Sequence, residues 1–109
     1  MGALWISIGS AAIRANEVAE VAVAKASRVI GGRIGREQFS VILRSFRGSQ
    51  TSGRTVSRTV WSHADEHAAA VVAHRLIEHL IIHADSAGTL RVLRSGEIEF
   101  NEVERGDAG

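Results

Sequence analysis

The chain has 109 residues, with 13 lysines and arginines against 12 aspartates and glutamates, which gives a formal net charge of +1. Hydrophobic residues make up 45% and charged residues 23%, which excludes a disordered or collagen-like chain and indicates a folded globular one. The sequence contains no cysteine, which excludes disulfides, thiolate nucleophiles and cysteine-based metal sites. A chain of this length builds one hydrophobic core, so residues 1–109 are expected to form a single domain.

The first predicted elements along the chain are a short strand and a long helix. Apolar residues alternate with Trp5 and a serine over residues 4–8, a period of two that predicts a strand. Ser10 stands where the N-cap of a helix belongs, and residues 11–30 follow as the predicted helix. The predicted buried face of this helix consists mostly of alanines. Its members are Ala12, Ala15, Ala19, Ala22, Val23, Ala26 and Ile30.

Two interpretations of residues 36–47 are open. Four apolar residues at helical spacing favour a helix, whereas alternation of Phe39, Val41 and Leu43 favours a buried strand. The strand is preferred, because residues 54–61 alternate, are rich in β-branched side chains and offer an antiparallel partner. The polar residues between these two segments then form the loop of a hairpin.

The C-terminal half is predicted to contain a second helix and a hairpin. Ser62 serves as a candidate N-cap for a helix over residues 63–84. Its predicted core face is Ala69, Val72, Ala73, Leu76, Ile77 and Leu80. Residues 90–94 and 97–100 form a predicted hairpin around Ser95-Gly96, and residues 101–109 form an acidic tail.

The predicted order of elements is therefore β-α-β-β-α-β. This order is the connectivity of the ferredoxin-like split βαββαβ unit, an α+β two-layer sandwich, here with an extra C-terminal strand. If residues 36–47 are helical instead, the class is unchanged and the sheet loses one strand. The fold is shared by many unrelated functions, so it does not indicate an activity.

All five histidines lie between residues 63 and 83, which makes them candidate metal ligands. His63 and His67 have the i,i+4 spacing at which two imidazoles on one helix can hold a single metal ion, and His79 and His83 repeat it. The alternative is that these histidines lie at the boundary between the helix core face and solvent. The boundary interpretation is preferred over a metal site, and no cofactor is expected.

Arginines concentrate in the middle of the chain and predict an anion-binding or nucleic-acid-binding hairpin. Arg44, Arg47, Arg54 and Arg58 flank the polar loop between the two central strands. Guanidinium groups bind phosphate oxygens through a planar fork of donors, so four of them at a hairpin tip suit a nucleic acid backbone. The alternative is a solvated hairpin tip that is basic without binding anything.

The function favoured by the sequence is a small non-enzymatic binding or assembly module. One sheet face is expected to be open, with Trp5 and Trp61 as candidate interface residues for a second copy of the chain or for another protein. The arginine hairpin makes a nucleic-acid-binding regulator the alternative function, and a histidine-dependent metal site or enzyme ranks third. A cytoplasmic location and no membrane contact are expected, because no apolar stretch approaches the roughly 20 residues needed to span a bilayer.

Overall fold

The structure, a computed structural model, describes residues 3–30, 33–46 and 55–102. Within these ranges the chain forms seven strands and one α-helix. A 3-10 turn at Ala15–Glu17 connects the second strand to the third. The elements are β1 (Leu4–Ile8), β2 (Ala11–Arg14), β3 (Val18–Ile30), β4 (Arg33–Phe46), β5 (Thr55–His63), α1 (Glu66–Ile82), β6 (Gly88–Val92) and β7 (Ile98–Glu102).

The strands form two separate sheets. The four-stranded sheet has the order β2-β1-β6-β7, in which β1 runs parallel to β6 and the other pairs are antiparallel. The three-stranded sheet has the order β3-β4-β5 and is antiparallel throughout. The chain passes from the first sheet to the second through the 3-10 turn, and it returns through α1.

The helix predicted over residues 11–30 is wrong, and with it the ferredoxin-like βαββαβ sandwich. These residues form β2, the 3-10 turn and β3, so the protein is mainly β with one helix in the part that the structure describes. Alanine favours helices over strands, so the local preference indicated a helix, and pairing of β3 with β4 overrode it. The larger residues Val21 and Val23 are β-branched and two positions apart, and both pack against the core as strand residues do.

The predicted N-cap at Ser10 is also wrong, since a tight turn stands there. Ile8 pairs directly with Ala11, which leaves Gly9 and Ser10 as a two-residue hairpin turn between β1 and β2. Gly9 has a φ of 58°, the positive value that a type II′ turn requires at its first central position.

The remaining predicted elements are present with shifted ends. Residues 36–46 form most of β4, so the strand interpretation is confirmed and the helical alternative is wrong, while residue 47 lies outside the described residues. The predicted strand over residues 54–61 corresponds to β5, the helix over residues 63–84 to α1, and the C-terminal hairpin to β6 and β7. The predicted tail over residues 101–109 begins inside β7, and residues 103–109 lie outside the described residues.

Both sheets and the helix contribute to one hydrophobic core. Its side chains come from β1, β4, α1 and β6, and each valine, leucine or isoleucine among them stabilises the fold by roughly 1.5–3 kcal/mol when fully buried. The buried members are Leu4, Ile6, Val41, Leu43, Ala69, Val72, Ala73, Leu76 and Leu90. The helix begins at Asp65, whose carboxylate accepts a hydrogen bond from the backbone N–H of His67 as an N-cap.

A β-bulge interrupts the pairing of β4 with β5. Val41 pairs with Trp61 and Ile42 pairs with Thr59, so Val60 is an extra residue on β5. Directly opposite residues share a sheet face, and a shift of one residue moves every following side chain to the other face. The bulge therefore places Arg58 opposite Leu43, on the core face, whereas an unbroken ladder would place it opposite Arg44.

Gly96, in the loop between β6 and β7, lies directly against Trp61 and the helix. A Cβ atom on Gly96 would lie 2.8 Å from Cγ2 of Val72 and 3.2 Å from Cζ2 of Trp61, and its φ is 89°. The indole N–H of Trp61 donates a hydrogen bond of 3.0 Å to the carbonyl oxygen of Arg94 in the same loop. Only glycine combines this backbone conformation with this close approach.

Gly96→Ala is expected to lower the free energy of unfolding by about 2–5 kcal/mol, because backbone strain adds to overpacking. Gly9→Ala is the matched control, since Gly9 also has a positive φ but has no atom within 4 Å of the added Cβ. It should cost about 1–2 kcal/mol, from strain alone. Urea unfolding of both variants measures the difference, and equal losses would contradict the contact between the loop and the core.

Candidate functional site

Arg44 lies on the outer face of the three-stranded sheet, away from the core. It pairs across the sheet with Glu20, and its guanidinium donates a hydrogen bond of 2.7 Å to the Glu20 carboxylate. Ile42, two positions earlier in β4 and therefore on the same face, is buried between Ala22 and Thr59. An exposed ion pair of this kind contributes at most about 1 kcal/mol and leaves Arg44 with a partner.

Arg58 lies on the opposite face, at the edge of an open cleft between the two sheets. The cleft has a volume of about 150 Å³. It is lined by Trp5, Ala12, Ile13, Arg14, Glu17, Ser45, Val56 and Arg58. The bulge at Val60 is the reason that Arg58 reaches this cleft while Arg44 does not.

The four arginines of the predicted anion-binding hairpin are therefore not all brought together. Arg44 and Arg58 face opposite sides of the sheet, and Arg47 and Arg54 lie outside the described residues. Binding of nucleic acid by this hairpin stays a prediction.

Trp5 forms the wall of the cleft on the side of the four-stranded sheet. It pairs with Arg14 across β1 and β2, and the guanidinium carbon of Arg14 lies 5.6 Å from the centre of the Trp5 ring. This distance allows a cation–π interaction, which at an exposed site contributes about 0.5–1 kcal/mol. The side chain is 37% exposed, so the indole is accessible from solvent.

Two further elements of the chain contribute polar residues to the cleft. Ser45 of β4 is buried, with 6% exposure, and Glu17 lies at the end of the 3-10 turn. Among the described side chains, neither Arg14 nor Arg58 forms an ion pair. The cleft is therefore lined by two arginines, one glutamate and one serine beside an aromatic residue. Sequence reasoning missed Arg14 and Glu17 because residues 11–30 were predicted as a helix. It also missed Ser45, which lies in a correctly predicted strand, because no sequence pattern shows that this strand faces β2 across a cleft.

Trp61, the second candidate interface residue, does not lie on an open sheet face. It packs against the core with Val41, and its indole N–H is paired with the Arg94 carbonyl. Its role as an interface residue stays a prediction, and its described contacts are within the chain.

His63 and His67 do not share a helix face. His63 ends β5, stacks on Trp61 with ring centres 5.2 Å apart, and accepts a hydrogen bond at Nδ1 from the backbone N–H of Asp65. His67 lies in the first turn of α1. Across the described ranges, no group of three or more potential metal-ligating side chains is present. The spacing that predicted chelation applies within one helix, and the helix begins after His63.

The other two histidines at this spacing stack in a row against β7. The ring centres of His79 and His83 are 5.6 Å apart, and those of His83 and Phe100 are 3.9 Å apart. Nδ1 of His79 is buried and has no hydrogen-bond partner within the described part of the chain. A buried polar atom without a partner costs about 1–3 kcal/mol in lost hydration.

His79→Leu is expected to raise the free energy of unfolding by about 1 kcal/mol, because an apolar side chain removes the unpaired nitrogen. His74→Leu is the control on the same helix, since His74 is exposed and contacts Glu78 at 3.0 Å. The control should change stability by less than about 0.5 kcal/mol. A loss of stability in His79→Leu, measured by urea unfolding, would show that the imidazole is needed where it lies.

Searches of family models, curated proteins and solved structures find no match to this chain. The functional argument consequently depends on the chemistry of the surface and of the cleft. Among the described residues, α1 is neither long nor apolar enough to cross a membrane.

Proposed function

Three isoleucines in the second half of α1 are exposed, and we call them the isoleucine patch. Ile77 is 38% exposed, Ile81 is 71% exposed and Ile82 is 70% exposed. Ile77 was predicted to face the core, but Leu76 and Ala73 occupy that face. Each isoleucine contributes about 1.5–3 kcal/mol when it is buried, so this surface favours contact with another apolar surface.

The sequence of α1 explains why the patch exists. A helix that packs on one side carries one apolar stripe, and the other sides are polar. The consecutive residues Leu80, Ile81 and Ile82 cannot all lie on one stripe, because successive helix positions are 100° apart. Leu80 packs against the core, and the next two side chains extend into solvent.

We propose that this protein is a binding and assembly module that associates with a second copy of itself through the isoleucine patch. The observation that carries the proposal is the exposure of Ile81 and Ile82, two large apolar side chains in the last turn of the helix. Apolar clusters on a protein surface are typical of protein interfaces.

Two observations favour a second copy over a different partner. The formal net charge is only +1, so two copies do not repel each other strongly. Charges of both signs share the exposed side of this helix with the patch, since Glu78 projects between Ile81 and Ile82, and Arg75 lies one turn before Glu78. In a dimer with twofold symmetry the same surface meets itself, and an apolar surface interspersed with charges of both signs can complement its own copy.

The double variant Ile81→Gln and Ile82→Gln should weaken self-association by about 100-fold or more, because four large apolar side chains leave the interface. Sedimentation velocity at micromolar concentration measures the mass of the wild type and of the variant. Both side chains are mostly exposed in the single chain, so the variant is expected to keep its fold.

Trp5→Gln is the control, since Trp5 is also exposed but lies in the cleft outside the patch. It should keep the mass of the wild type. A wild-type mass equal to one chain would refute self-association, and loss of the dimer in Trp5→Gln alone would move the interface to the cleft.

A further inference from the structure

The cleft between the two sheets is lined by two arginines from distant parts of the chain. Arg14 extends from β2, an edge strand of the four-stranded sheet, and Arg58 extends from β5, an edge strand of the three-stranded sheet. Arg58 lines the cleft because the bulge at Val60 turns its side chain toward the core face of the sheet. The arrangement is therefore a product of the tertiary structure and not of neighbouring residues in the sequence.

The charge of the cleft is positive and incompletely compensated. Glu17 is the carboxylate among the lining residues, against the two arginines. Within the described side chains, Arg14 and Arg58 have no ion-pair partner, whereas Arg44 on the other face pairs with Glu20. The cleft can therefore accept an anion without first breaking an ion pair of either arginine with a described side chain.

The size of the cleft limits what it can hold. A volume of about 150 Å³ equals that of a protein cavity that accommodates benzene, a molecule of about six heavy atoms. A phosphate group has a similar number of heavy atoms. Because the cleft is open to solvent beside Trp5, a larger organic group attached to the phosphate could extend out along the indole.

We propose that the cleft binds a phosphate group, either free phosphate or the end of a small phosphate monoester. Each guanidinium is a planar fork of N–H donors, and a tetrahedral phosphate offers oxygens in several directions to two such forks at once. The hydroxyl of Ser45 lines the same cleft and supplies a further donor. The carboxylate of Glu17 weakens binding of the anion by repulsion, and it does not cancel the charge of both arginines.

The first experiment follows the two indole N–H signals of the protein by NMR while inorganic phosphate is added at constant ionic strength. The sequence contains two tryptophans, so each spectrum carries its own control. Trp5 lines the cleft, whereas the N–H of Trp61 is bonded to the Arg94 carbonyl outside it. Phosphate should shift the Trp5 signal in a saturable manner and leave the Trp61 signal unchanged.

Three variants then test the assignment of the charged groups. Arg58→Gln should weaken phosphate binding about tenfold or more, because it removes charged hydrogen bonds to the anion. Arg44→Gln is the matched control on the same sheet and should change the affinity little. Glu17→Gln should tighten binding about two- to fivefold, because it removes one unit of negative charge near the anion.

Four results would overturn the proposal. The first is no saturable shift of the Trp5 signal at millimolar phosphate, and the second is equal weakening by Arg44→Gln and Arg58→Gln. The third is acetate binding as tightly as phosphate, which would make the cleft a carboxylate site. The fourth is tight binding of an oligonucleotide that depends on Arg44 and not on Arg58, which would place the anion-binding surface on the outer sheet face. A phosphate monoester that binds more tightly than free phosphate would support the monoester as the ligand.

Discussion

The contact of Gly96 with Trp61 and Val72 holds the two sheets and the helix in one arrangement. Trp61 belongs to the three-stranded sheet, Val72 to α1, and Gly96 to the loop of the four-stranded sheet, so three parts of the fold meet at one point. The bond from the indole N–H to the Arg94 carbonyl fixes the orientation of the ring. The cleft depends on this contact, because its walls belong to different sheets and keep their spacing only if the sheets do.

The sequence predicted those elements in which large side chains show a clear period. Alternating apolar residues predicted β1 and β5, and the apolar stripe of α1 predicted a helix of nearly the observed extent. The helix prediction over residues 11–30 was wrong, and alanine occupies most positions of the apolar stripe on which it was based. Alanine buries little surface in any conformation, so pairing of β3 with β4 over more than ten positions decides the structure there. Such pairing between separate segments is not visible in a local period.

The candidate site was less predictable than the fold, and one inserted residue explains much of the difference. In an unbroken ladder Arg44 and Arg58 would be opposite each other, on one face of the hairpin base. The extra residue Val60 separates them, and no local pattern in β5 marks it as a bulge. The isoleucine patch was visible in principle, since an Ile81-Ile82 pair directly after Leu80 is incompatible with a single buried stripe.

The parallel pairing of β1 with β6 affects how this chain folds during its synthesis on the ribosome. Leu4 pairs with Gly88, so β1 gains its inner neighbour only after β2, β3, β4, β5 and α1 have been synthesised. Until then β1 can form only its hairpin with β2, and isolated two-stranded hairpins are marginally stable in water. The apolar side chains of Leu4 and Ile6 are exposed during that interval, when unpaired strands are prone to aggregation. The four-stranded sheet can therefore close only after β6 has been synthesised, and until then these two side chains lack the strand that covers them.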